Sequence, residues 1–267
     1  MSPEPLRLGG MALRNGLLVH GPTSWAVAVR DGHGEVQVAS GRKPRLRRGG
    51  SIPGVRGVLR LGEAMALIPI VKRALPAVRL PFQDPTVLGV AAAATVVGSR
   101  ARRLSAAGGM AGEAAAAAIS LVPSLVALGG GDLAAYHGVE HKAIAAYEQG
   151  EPDAAQAAKE HDRCGSHLVA PMLAANLAGV TVLRRLAAPP GRLAQGGLAL
   201  ASAGIAVEVF AWSERHSESA MAHALRRPGH ALQRVIGTRE PTAEQLEVGE
   251  AALRELLRAE GAPALAG

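Results

Sequence analysis

Hydrophobic and polar positions along the chain follow two periods. Trp25, Val27 and Val29 alternate with smaller or polar residues, Asp31-Gly32-His33-Gly34 supplies turn chemistry, and Val36 and Val38 resume the alternation. A period of two around such a turn predicts a β-hairpin. Its open edges have no partners in lipid, so it belongs in water. After a basic, Gly-rich linker at Gly41–Gly50, the spacing becomes helical: Val55, Val58, Leu59, Ala66, Leu67, Ile70, Val71 and Ala74 share one face, and Arg56, Arg60, Lys72 and Arg73 lie elsewhere. That pattern describes an amphipathic helix, either on a membrane surface or half-buried in a soluble core.

Four stretches then lack Asp, Glu, Lys and Arg: Pro85–Ser99, Ala114–Gly131, Cys164–Leu183 and Leu193–Val207. A membrane-spanning helix needs about 20 mostly apolar residues. The second and third stretches are long enough. The fourth qualifies if Glu208 faces inward and the helix continues to Trp212. The first is short and Ala-rich, which suits a re-entrant or buried helix. Near the C-terminus Thr242 and Gln245 form a capping box, and Leu246, Leu253, Leu256 and Leu257 make the apolar face of a helix whose other face carries Glu247, Glu250 and Arg254. The expected fold is therefore mainly α: a multi-span transmembrane helical bundle over residues 51–240, preceded by a small soluble β-hairpin region with its basic linker over 1–50, and followed by a soluble amphipathic C-terminal helix and tail over 241–267. A soluble, Ala-rich helical bundle is the alternative.

Composition agrees with a membrane bundle. Hydrophobic residues make up 48% of the 267, yet aromatic ones only 2%, so the apolar content is mostly small or aliphatic. Small residues let helices approach closely in lipid. The net charge of +7 is concentrated in Arg42, Lys43, Arg45, Arg47, Arg48, Arg56 and Arg60, followed by Lys72, Arg73 and Arg79. Basic segments beside apolar spans attract anionic lipid. No nucleic-acid module is recognisable and stacking aromatics are scarce, so the expected partner is the lipid bilayer and nucleic acid is not expected. Arg100, Arg102 and Arg103 precede the second stretch, and Arg184, Arg185 and Arg192 separate the third from the fourth. The positive-inside tendency assigns both groups to the cytoplasm and the connection from Asp132 to Arg163 to the other side, whereas Arg226, Arg227 and Arg234 argue the opposite for the C-terminal part. The first 20 residues do not read as a cleaved signal peptide. One cysteine, Cys164, excludes an intramolecular disulfide.

The candidate chemistry lies in Tyr136-His137-Gly138-Val139-Glu140-His141-Lys142. On a helix His137 and His141 share a face, and two imidazoles so placed form half of a zinc site. Glu140 gives the order H-x-x-E-H, the inverted form of a zinc-peptidase motif in which the carboxylate is the general base. Alone, the same residues also describe two surface histidines and a solvated glutamate. His161 and Cys164 stand just before the third stretch, on the same membrane face if the intervening connection is a loop, and both are zinc-ligand types. A free cysteine is also a small buried hydrophobe. Glu208 interrupts an apolar run and should face the bundle interior with a partner.

These residues resemble the YqhQ-like family of bacterial membrane proteins. Its Y-H-G-A-E-H-K…Y-E segment is closely matched by Tyr136 to Lys142 with Tyr147-Glu148, and its H-P-R-C-G by His161 to Gly165. Gly204-Ile205 with Glu208 resembles G-I-x-Y-E, and Thr238-Arg239-Glu240-Pro241 resembles T-R-E-P. Arg56-Gly57-Val58 with Glu63 resembles a further R-G-V…E segment. Gly9 to Pro22 is a degraded copy of G-G-Q-A-V-x-E-G-V-M-M-R-G-P, with Met11, Asn15 and His20 where the family has Gln, Glu and Arg. The resemblance implies a multi-pass protein of the cell membrane and a metal-dependent enzyme of unknown reaction. Residues and resemblance together give an expected divalent metal, zinc by donor type, held by His137 and His141 with His161, Cys164 and Glu208 as further candidates, and Glu140 as catalytic base of a hydrolase. The alternative is a non-catalytic membrane assembly or scaffold factor in which the same residues form a structural site.

Overall fold

The structure is a computed structural model that describes residues 5–44, 55–104, 110–129, 131–151, 153–186 and 191–262. From residue 45 onward the expected basic linker lies outside them. Four strands, β1 (Gly9–Leu13), β2 (Gly16–His20), β3 (Ser24–Arg30) and β4 (Val36–Arg42), form an antiparallel sheet in the order β1-β2-β3-β4. Eight α-helices are described: α1 (Val55–Ala74), α2 (Pro85–Leu104), α3 (Met110–Gly129), α4 (Asp132–Gln149), α5 (Val169–Leu186), α6 (Arg192–Arg215), α7 (Ala220–Leu232) and α8 (Ala243–Glu260).

The sheet is larger than the hairpin that the alternation predicts. β3 and β4 correspond to that hairpin; β1 and β2 come from the stretch before it. Gly9-Gly10 offers no side-chain pattern, and Leu17, Leu18 and Val19 are consecutive because both faces of β2 are buried. On one face Leu17, Val19, Ala26 and Ala28 pack against Tyr136, Val139 and Ala143 of α4 and Leu253, Leu256 and Leu257 of α8. On the other, Leu13, Leu18, Trp25, Val27 and Val29 pack against Leu67 and Val71 of α1. The first strands and the last helix thus share one core, termed the head below. α8 reaches α4 closely because Gly249 lies against Val139, where a methyl group would overlap Val139 Cγ1. Thr242 caps α8: its hydroxyl accepts from Gln245 N, and Gln245 accepts from Thr242 N in return.

The chain leaves the head twice. Asp84, just before α2, is held at the head by an ion pair with Arg14 at 3.0 Å. At the far end Glu113, in the first turn of α3, receives Arg102 from the last turn of α2 at 3.3 Å and Arg184 from the last turn of α5 at 2.9 Å. α2 and α3 therefore form one antiparallel excursion from the head, and α5 and α6 a second. Three segments, Ala111–Gly129, Gly165–Arg185 and Leu193–Arg215, are long and apolar enough to cross a membrane. They present side chains such as Val122, Val182, Leu200 and Ile205 outward. α2 covers the same depth as α3, also with Leu88, Val96 and Val97 exposed. Its Gly, Ser and Arg residues make it less apolar than the other three.

Candidate metal centre

α4 places His137 and His141 one turn apart, with ring centroids 4.4 Å from each other. Each ring is fixed from behind. His137 Nδ1 lies 2.7 Å from the carbonyl oxygen of Gly237, and His141 Nδ1 lies 2.5 Å from that of Lys159. A carbonyl only accepts, so each Nδ1 carries a hydrogen and each Nε2 faces forward, where it offers a lone pair whenever its ring is neutral. Cys164 arrives on the turn before α5, where its sulfur accepts from Ser166 N at 3.4 Å and stands 3.3 Å from His137 Nε2. One ligand atom each from His137, His141 and Cys164 lie within 4.8 Å of one another. His141 Nε2 is buried and has no hydrogen-bond partner among the described residues.

This arrangement fits a metal ion. Metal-ligating histidines characteristically donate their other ring N–H to a carbonyl or carboxylate, which fixes tautomer and orientation. An orphaned buried nitrogen costs free energy unless something occupies its lone pair. Charge points the same way. Burial disfavours a charge on His137, but the hydrogen bond to Cys164 and the Glu140 carboxylate outweigh it and hold this ring up to about 9. Burial and the neighbouring His137 push His141 down to about 3, so it stays neutral. The cluster thus draws positive charge at His137 and keeps His141 neutral. A small set of two nitrogens and one sulfur matches zinc chemistry, with bonds of about 2.0 to 2.3 Å.

The remaining expected residues lie as follows. Glu140 borders the cluster; its carboxylate accepts from Ala12 N of β1, and burial raises its proton affinity against the opposing charges of His137 and His161. His161 is adjacent, its ring centroid 5.8 Å from that of His141. Its nitrogens are otherwise engaged: Nδ1 accepts from Arg163 N at 3.1 Å, and Nε2 is 3.5 Å from Glu148. Glu208 is half-buried on α6 and is not among the converging ligand atoms.

Three contributors carry no spacing signal. Gly10 makes room for Glu140, since a Cβ there would stand 2.6 Å from Glu140 Cγ. The resemblance places Gly10 in a glycine pair, the one sequence hint of its role. His20 lines the cavity beside the cluster and is pushed down to about 4 by burial and by Lys43. Lys142 is buried and donates to the carbonyls of Ala155 and Ala157, both at 2.8 Å, and pairs with Glu240. It thereby holds the segment that carries Lys159.

The cavity has a volume of about 420 Å³ and lies where head and bundle meet. Its walls are Leu8 with β1 from Gly9 to Ala12, the end of α3 at Leu128, and α4, closed by the turn from Cys164 to Ser166. No curated protein and no solved structure matches the chain. Residues 132–259, which run from the start of α4 nearly to the end of α8 and contain His137, Glu140, His141, His161 and Cys164, match the family model described as "Protein of unknown function (DUF1385)".

Proposed function

We propose that the protein is a multi-pass membrane protein whose head holds one divalent metal ion, zinc by donor type, at His137, His141 and Cys164, and that it catalyses hydrolysis with Glu140 as general base. The observation that carries this reading is the convergence of the His137 and His141 Nε2 atoms beside a cysteine sulfur, with His141 Nε2 buried without a partner among the described residues. Three protein ligands leave a tetrahedral ion one position for a reactant, the pattern of catalytic rather than structural zinc. When bound, the ion supplies Lewis acidity towards water and a carbonyl. The protein's own residues do the rest. Ala12 N–H aims the Glu140 carboxylate. Glu140 takes a proton from water as the water oxygen bonds to the carbonyl carbon, then returns it to the leaving group as the scissile bond breaks.

A second reading has its own observation. His161 is near enough that a turn of its ring would add a fourth ligand and close the site, as in a structural centre of a scaffold factor. Glu140→Gln separates the two. With catalysis, the variant binds zinc like the unaltered protein but fails in a complementation assay. If Glu140→Gln complements while His137→Ala does not, the site is structural.

Membrane embedding follows from the same frame. If α3 crosses the bilayer, α2 must cross as well, because the chain begins and ends that excursion in the head. The far end carries Arg100, Arg102, Arg103, Arg184, Arg185 and Arg192, and the head side carries more: Arg14, Arg30, Arg42, Lys43, Lys72, Arg73, Arg79, Arg226, Arg227 and Arg234. The positive-inside rule then assigns the head, with the connection from Asp132 to Arg163, to the cytoplasm. This reverses the orientation expected from the arginine groups taken segment by segment.

A further inference from the structure

The cavity is walled along one side by the outer edge of the sheet. β1 has a single neighbour, β2. Which of its backbone groups point outward follows from the register. Arg30 N donates to Asn15 O and Gly21 N to Ser24 O, so residues 15, 17, 19 and 21 turn their bonding groups towards β3. By the two-residue alternation of antiparallel ladders, residues 16, 18 and 20 turn theirs towards β1. Their partners are Leu13, Met11 and Gly9. Gly10, Ala12 and Arg14 therefore point away from the sheet, and Arg14 N indeed donates outward to Arg79 O. Ala12 N–H is taken by Glu140. The N–H and C=O of Gly10 have no partner among the described residues, and Gly9 and Gly10 place no side chain over the edge.

We propose that the ligand of this site is an extended polypeptide segment that adds to β1 as a further strand. The inference rests on the proposed metal site and names its substrate class. Strand addition uses main-chain hydrogen bonds for affinity, and alternate side chains enter pockets. Gly10 supplies one donor and one acceptor, enough for one bonded pair of residues. Ala12 N–H is already occupied by the Glu140 carboxylate, so pairing stops there. The next peptide group of the added strand then lies beside Glu140 and the cluster of His137, His141 and Cys164. Leu8, Leu133 and Ile144, which also line the cavity, receive apolar side chains. Hydrolysis of that peptide bond is atom-balanced with water alone: the water oxygen bonds to the carbonyl carbon, the C–N bond breaks, and Glu140 passes the water proton to the amine.

The test uses the full chain in detergent, loaded with cobalt in place of zinc, and reads the visible cobalt spectrum. Three probes are titrated: acetohydroxamate, a trileucine hydroxamate, and the same tripeptide methylated on its backbone nitrogens. Strand addition predicts that trileucine hydroxamate binds about tenfold tighter than acetohydroxamate, and that methylation removes most of this gain, as loss of one or two net hydrogen bonds would. If acetohydroxamate perturbs the spectrum but the tripeptide binds no tighter, or the methylated tripeptide binds as well as the parent, strand addition is wrong and the metal site stands. If acetohydroxamate leaves the spectrum unchanged, the open metal position falls and the peptide proposal falls with it.

Discussion

A methyl group at Gly10 would collide with Glu140, whose carboxylate leans across β1 to Ala12 N–H. Gly10→Ala should therefore displace Glu140 without touching His137, His141 or Cys164. We expect it to fail complementation as Glu140→Gln does, while retaining zinc in metal analysis. Full complementation would show that the placement of Glu140 is immaterial. Lys142 acts at one remove from the cluster. Replacing it with Met leaves the carbonyls of Ala155 and Ala157 without their donor, at a cost of about 2 kcal/mol. It also loosens the segment whose Lys159 carbonyl orients His141. Loss of such outer support typically lowers metal affinity about 10- to 100-fold. Thermal unfolding and titration against a chelator would measure both effects, and unchanged values in both would remove Lys142 from the account. The spacing of His137 and His141 was legible because a helix turns it directly into a shared face. Ring orientation was not: His161 is next to the cluster in space, but its nitrogens serve Arg163 N and Glu148, which no spacing rule reports.

At the scale of elements, α4 is the piece on which everything meets. It touches β1 and β2 on one side and α8 on another, and the 237–241 segment lies against Gly138. Its contact with α8 depends on Gly249, so Gly249→Ala should overpack the interface and destabilise the head by about 1–3 kcal/mol. Denaturant unfolding of the head, followed by Trp25 fluorescence, checks this; an unchanged midpoint would mean that α8 can move aside at no cost. The apolar helices were readable from length and the absence of charge, and α8 from its capping box and its leucine stripe. β1 and β2 were not readable as strands. Strand signals are carried by side chains, and here two glycines and a run buried on both faces erase the alternation. The path of α2 was also hidden. Its composition is ambiguous, and only the ion pairs of Asp84 with Arg14 and of Arg102 with Glu113 show that it runs the full depth of the bundle.

On the scale of the whole molecule, the head and the ends of the two helical excursions lie on opposite sides, which single cysteines can report. Cys164, the one native cysteine, is buried. In intact cells a membrane-impermeant thiol reagent should label Arg103→Cys at the far end, and should label Glu250→Cys on the head only after permeabilisation. Labelling of both from the same side would overturn the proposed topology. We propose that α4 and the turn before α5 close around one metal ion at the junction of head and bundle. Metal analysis of the full-length protein purified in detergent tests it most directly, performed on the unaltered chain, on His137→Ala and on Cys164→Ser. We expect one zinc ion per chain, lost in His137→Ala and bound more weakly in Cys164→Ser. Unaltered protein without metal, or a metal content that neither substitution changes, would contradict it.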